Sequence, residues 1–234
     1  MISHQHKCIF IHISKCAGSS VEKAFGVNIA NNTESNNVNL FGWNFEHNIF
    51  LQHATPQELI DFGFINKSIW DNYYKFIIIR NPFDRSLSDY IWLMEEISQK
   101  DTYINFLNRR GRFKEALTNN QTINYRGDHL KKQKEYFYIN GSLIKYDRIL
   151  RFENIGNELN SLTNDLNLSP NFFDKKFNVS KKKVIHYSKF YNQKRINEFE
   201  KLFKDDLNFL NYTFEDKKNV FDYFKLRKPS YSII

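Results

Sequence analysis

Cysteine is scarce in this chain, long apolar runs are missing, and no secretory leader is expected at its start. The two cysteines are Cys8 and Cys16. Their spacing matches no metal-ligand pattern and is a poor basis for a disulfide framework, so both are expected as reduced thiols, with Cys8 in the core. No stretch is long enough to cross a bilayer as an apolar helix, which excludes an integral span and leaves peripheral membrane association open. The first strand begins within a few residues of Met1, leaving no room for a charged region and an apolar signal core, so the expected compartment is the cytoplasm. The chain also lacks zinc-finger and RNP motifs, internal repeats, and any low-complexity tract beyond the Asn-rich stretch from Asn28 to Asn39.

What the chain does have is aromatic mass and positive charge. Of its 234 residues 41% are hydrophobic, with 23 Phe and 13 Tyr, which argues for a packed globular protein read as a single domain over 1–234. A net charge of +8 favours an anionic partner. Charge alone does not choose between nucleic acid, a phosphorylated cofactor, an acidic polymer and a membrane surface.

The most informative stretch is IFIHISKCAGSS, residues 9–20. A buried-strand run stops near Lys15, and a small-residue turn containing Gly18 then opens a helix. Backbone N–H groups and the helix dipole converge in such a corner and favour a phosphate-like anion. The corner is not the nucleotide-triphosphatase loop, whose lysine follows its second glycine. Here Lys15 precedes the glycine, and the hydroxyls of Ser19 and Ser20 follow it.

KFIIIRNPF, residues 75–83, repeats the grammar. Unalternating apolar residues read as a parallel strand buried on both faces. Asn81 then caps and Pro82 opens a helix whose Phe83, Leu87, Tyr90, Ile91 and Met94 recur at helical spacing and are expected to face the sheet. A short strand is expected over 48–52 and ends at His53; Thr55, Pro56 and Glu58 then form a capping box. RILRFEN, residues 148–154, supplies another strand. A core stripe of Ile155, Leu159, Leu162 and Leu166 follows, and a last amphipathic helix runs from about Gln193 to Asp206. The segment from Asp101 to Gly141 is irregular, with short helices expected at 103–107 and 131–138.

Alternating strands and helices give an α/β fold, a central parallel sheet flanked by helices, with ligands at the carboxyl ends of its strands. Lys15, His53, Arg80 and Arg151 are expected at or just past such ends. Two corners, one with Lys15 and one with Arg80 and Ser88, suit a ligand bearing two phosphate ends.

At these residues the chain resembles the sulfotransferases that use 3′-phosphoadenosine 5′-phosphosulfate (PAPS), in particular their carbohydrate, family 2-like branch. That branch shows H-I-P-K-T-A-G-T-S and later V-R-N-P-x-D-R-x-x-S-x-Y. The match runs over residues 10–20 and 76–90, with echoes in LQHATPQEL at 51–59, RFEN at 151–154 and HYSKFYN at 186–192. The resemblance implies a P-loop-like sulfotransferase fold and a carbohydrate O-sulfotransferase that yields 3′-phosphoadenosine 5′-phosphate (PAP) without a metal. It implies that Lys15, Cys16, Ala17, Gly18, Ser19 and Ser20 hold the 5′-phosphosulfate, and that Arg80 and Ser88 hold the 3′-phosphate. Ser180, beside the lysines 181–183, is expected to close over the adenosine end. His53 is the expected base, with Glu46 and His47 as weaker alternatives, and His12 reads as a core histidine. Arg151 and Glu153 are expected to orient the acceptor or the nearby loop.

The chain departs from the pattern with Ser14 for Pro, Cys16 for Thr and Ser19 for Thr. Ser19 keeps its hydroxyl, whereas Cys16 exchanges one for a weak thiol donor. The implied partner is a carbohydrate acceptor, in a glycan or glycolipid precursor, and not nucleic acid. Two other readings stay open: a nucleotide or sugar kinase with a degenerate phosphate loop, and a non-catalytic basic module that binds glycan or nucleic acid.

Overall fold

The computed structural model describes residues 1–30, 32–174, 186–226, 228 and 230–232. In chain order its strands and α-helices are β1 (Ile2–Ser3), β2 (Cys8–Ile11), α1 (Gly18–Ala24), β3 (Trp43–Asn44), β4 (Ile49–Phe50), α2 (Pro56–Asp61), α3 (Lys67–Asn72), β5 (Tyr74–Ile79), α4 (Pro82–Glu96), α5 (Tyr103–Leu107), α6 (Lys114–Thr118), β6 (Tyr138–Ile139), β7 (Ser142–Leu143), β8 (Arg148–Arg151), α7 (Ile155–Asp165), α8 (Gln193–Leu210) and α9 (Val220–Lys225). They gather into two compact units, each built from two stretches of chain. The first combines Met1–Arg80 with Glu135–Val179, and the second combines Asn81–Lys134 with Ser180–Ile234.

The first unit carries a four-stranded sheet in the order β1-β2-β5-β8. β2, β5 and β8 run parallel, with Phe10 opposite Phe76 and Ile77 opposite Ile149. Every residue of β2 is buried, as are the last four of β5, which is why both read as continuous apolar runs. Phe10 stacks on Phe76 with ring centroids 5.0 Å apart. The expected α/β sheet is thus present, and α7 packs on β8. Its one antiparallel edge, β1 against β2, is two residues long and too short to leave a periodic signal.

The strand expected over 48–52 is corrected. Only Ile49 and Phe50 pair, antiparallel to Trp43 and Asn44 in a separate two-stranded ribbon, and the chain then turns through a 3-10 helix over Leu51–His53. The Trp43 indole packing on the Phe50 ring at 4.9 Å accounts for the departure, because cross-strand aromatic pairing fixes the hairpin locally. His53 therefore follows a hairpin turn and not a strand of the parallel sheet. The capping box after it forms as expected: the Thr55 N–H donates to Glu58 at 2.7 Å, and the Glu58 N–H donates to Thr55 Oγ1 at 3.2 Å.

The second unit is helical. Asn81 caps α4 by accepting from the Phe83 N–H at 3.0 Å. The apolar face of α4 is buried with Tyr103, Phe113, Phe190, Phe199 and Phe203 in the helical core of this unit. Phe83 lies 4.4 Å from Phe199, and the Tyr191 hydroxyl donates to the Phe83 carbonyl at 2.8 Å. The irregular middle of the sequence yields α5 at 103–107 as expected, whereas the helix expected at 131–138 is a 3-10 turn over Gln133–Phe137 leading into β6.

Candidate functional site

The turn between β2 and α1 is held in a conformation that ordinary side chains avoid. Lys15 and Ala17 have φ of +61° and +65°, in the left-handed region that costs a non-glycine residue on the order of 1 kcal/mol. Inside the turn the Cys16 N–H donates to the Ile13 carbonyl at 3.3 Å. Ala17 occupies the N-cap without a side-chain cap, and the first turn of α1 carries no acidic residue. A half-buried Lys15 and the half-buried Ser19 and Ser20 complete a donor-rich corner, while the Cys16 thiol is buried.

Arg80, the residue after β5, reaches into this corner. Its Nη1 donates to the Lys15 carbonyl at 2.7 Å, and its guanidinium lies 4.0 Å over the Phe152 ring. Arg80 is thereby tied to the backbone of the Lys15 turn. Arg151, opposite Ile79 in the sheet register, stands at the same carboxyl edge; it and Glu153 are exposed.

Under the turn lies a buried pair of polar residues. His12 Nδ1 and Glu22 Oε1 are 2.9 Å apart, with His12 4% and Glu22 0% exposed. A side chain at Gly18 would put its Cβ 2.0 Å from the His12 ring, so this position admits only glycine while the ring stays in place. Burial pushes the His12 imidazole below its ordinary pKa, opposed by the Glu22 carboxylate. His53 packs against the other side of this arrangement: its ring is 4.9 Å from that of His12, edge to face. Its backbone is fixed by the Tyr136 hydroxyl, which donates to the His53 carbonyl at 3.1 Å. The alternative base His47 is stacked on Phe62 at 4.0 Å, and Glu46 is exposed.

The first unit thus brings Lys15, Arg80, His12 and His53 together. Ser88 is half-buried on α4 in the second unit, and Ser180 with the lysines 181–183 lies outside the described residues. Other residues of the second motif hold structure: Arg85 is buried and donates to the carbonyls of His129 and Lys131 at 2.7 and 2.9 Å. The Tyr90 hydroxyl donates to the Asp101 carbonyl at 2.6 Å, and burial pushes its pKa up to about 12. Sequence reading missed the buried pair of His129 and Asp89, 2.7 Å apart with Trp92 stacked on the imidazole at 4.3 Å. The spacing of Arg85 and Asp89, one helical turn apart with Nε to Oδ2 of 3.9 Å, was the signal available for it.

A strand-turn-helix corner with a lysine before its glycine, an arginine tied to the same turn, and a histidine beside it is a constellation that comparison can test. The model of the sulfotransferase family matches residues 1–223. The chain belongs to the sulfotransferase family. Sulfotransferases carry out sulfuryl transfer and in general take sulfate from PAPS. Comparison with curated proteins and with solved structures gives no match. Among the described residues of this sulfotransferase, no helix is long and apolar enough to cross a membrane.

Proposed function

We propose that this protein transfers the sulfuryl group of PAPS to a hydroxyl of a carbohydrate, in a glycan or glycolipid precursor. The observation that carries the reading is the convergence of the Lys15 turn, the Arg80 guanidinium and the His53 ring in one unit. The donor set suits a bisphosphorylated nucleotide, because it offers a point cation, a planar fork and small hydroxyls with no carboxylate in the first turn of the helix. PAPS supplies an activated sulfuryl group.

Each residue then has a chemical task. Lys15, with the turn residues Cys16 to Ser20, binds the 5′-phosphosulfate, and its ammonium balances charge that grows on the bridging oxygen as the S–O bond breaks. Arg80 binds the 3′-phosphate. His53 Nδ1 or Nε2 takes the acceptor hydroxyl's proton while the acceptor oxygen bonds to sulfur, and PAP leaves with the electron pair of the broken bond. Arg151 and Glu153 orient the acceptor. We place the protein in the cytoplasm as a single functional domain, with no metal in the reaction.

A transfer screen from radiolabelled PAPS over mono- and oligosaccharide acceptors tests this reading. Label should reach a saccharide with wild-type protein. Lys15→Ala should slow transfer by roughly 10²–10³-fold and His53→Ala by roughly 10²–10⁴-fold. Full rates in both variants would remove the assigned mechanism. Magnesium-dependent ATP turnover without sulfuryl transfer would favour a kinase.

A further inference from the structure

The donor turn carries two strained non-glycine residues, Lys15 and Ala17, and such strain persists only where the surroundings over-determine it. Three contacts supply that determination. One is the Arg80 hydrogen bond to the Lys15 carbonyl, and another is the Cys16 N–H bond to Ile13. The third is the His12 ring, which fills the space a side chain at Gly18 would need and is itself held by Glu22.

The Glu22 carboxylate is kept at a cost. It is fully buried, and its Oε2 has no hydrogen-bond partner among the described residues. Leaving such an oxygen unsatisfied is costly, so an apolar residue would serve a merely structural helix better. With Glu22 Oε1 as the acceptor, the His12 proton lies on Nδ1 and the ring's orientation is fixed. The fixed ring then sets how closely the first residue of α1 approaches the end of β2.

We propose that His12 and Glu22 are positioning residues that clamp the β2–α1 turn in its donor-binding conformation, an inference that rests on the reading of that turn as the PAPS site. Neither residue touches the donor in this account. The clamp raises the fraction of molecules whose turn is competent to bind, so its loss appears as weaker donor binding and not as slower chemistry.

Calorimetric titration of PAP, with steady-state transfer kinetics beside it, tests the clamp. Glu22→Ala should bind PAP roughly ten- to a hundredfold more weakly, the size of one lost buried hydrogen bond to a charged group. The KM for PAPS should rise in step while kcat at saturating donor and the KM for the acceptor stay near wild type. Glu22→Gln keeps an acceptor for Nδ1 and removes negative charge beneath an anion site, so it should restore PAP affinity to wild type or better. A folded Glu22→Ala protein with wild-type affinity, or a Gln variant as weak as Ala, would overturn the clamp. If Glu22→Ala does not fold, the double variant His12→Phe with Glu22→Leu keeps a ring against Gly18 and removes the hydrogen bond without leaving a carboxylate buried alone. It should show the same rise in Kd, and unchanged affinity there overturns the clamp as well. Absence of PAP binding by the wild-type protein would instead remove the PAPS reading on which the clamp depends.

Discussion

Arg80 shows how much a single side chain is asked to do. Its guanidinium spans the Lys15 carbonyl at 2.7 Å and the face of Phe152 at 4.0 Å, two contacts that use its planarity and its charge together. A lysine can match the charge but not both geometries. Arg80→Lys should therefore weaken PAP binding about tenfold, measured by titration calorimetry, although the net charge is unchanged. Cys16 is buried, so the thiol that stands where the resemblance expects a threonine hydroxyl sits inside the turn.

Elements are set by close packing between neighbours in the chain. Gly18 opens α1 against the His12 ring, and a methyl there would arrive 2.0 Å from ring atoms that Glu22 holds in place. Gly18→Ala should cost about 1–3 kcal/mol in denaturant unfolding, the usual penalty of overpacking a buried contact. In the helical unit the fully buried carboxylate of Asp206 on α8 accepts the Gln133 and Lys134 N–H groups at 2.8 and 2.7 Å, which joins the 131–134 segment to the helix. Asp206→Ala leaves two backbone donors unpaired and should destabilise the protein by about 2–5 kcal/mol, read by thermal unfolding.

At this scale the sequence was legible where an element follows from its own residues. The apolar run of β5, the Thr55–Glu58 box and the Asn81-Pro82 start of α4 declare themselves locally, and all are present. What was not legible depends on partners distant in sequence. The hairpin of Trp43 with Phe50 competed with a strand over 48–52, and the face of α4 met aromatic side chains supplied by residues 187–203. The site follows the same division. Lys15, Arg80 and Arg151 were placed at strand ends by local pattern, whereas the meeting of His53 with His12, and the hold of Glu22 on His12, come from packing that no spacing encodes.

For the molecule as a whole, burial of His12 couples stability to pH. Its folded pKa lies below the ordinary value of 6.5, chiefly because burial disfavours the imidazolium. The unfolded chain therefore binds the proton more readily, and stability rises with pH through this range. The contribution is fully present above about pH 6.5 and is lost as pH falls from there toward the folded pKa. Denaturant midpoints measured between pH 7 and pH 5 should fall less steeply for His12→Phe than for wild type. His186 is also lowered, first by burial and then by the nearby Lys217 ammonium.

We propose that the Lys15 turn and Arg80 together hold a nucleotide bearing phosphates at both its 5′ and 3′ positions. Calorimetric titration of PAP, with 5′-AMP as the comparison, tests it most directly. Wild-type protein should bind PAP much more tightly than 5′-AMP, and Lys15→Ala and Arg80→Ala should each weaken PAP by roughly tenfold or more, as loss of a charged hydrogen-bonding partner predicts. Folded wild-type protein that binds the two nucleotides alike, or variants that bind PAP as tightly as wild type, would contradict it.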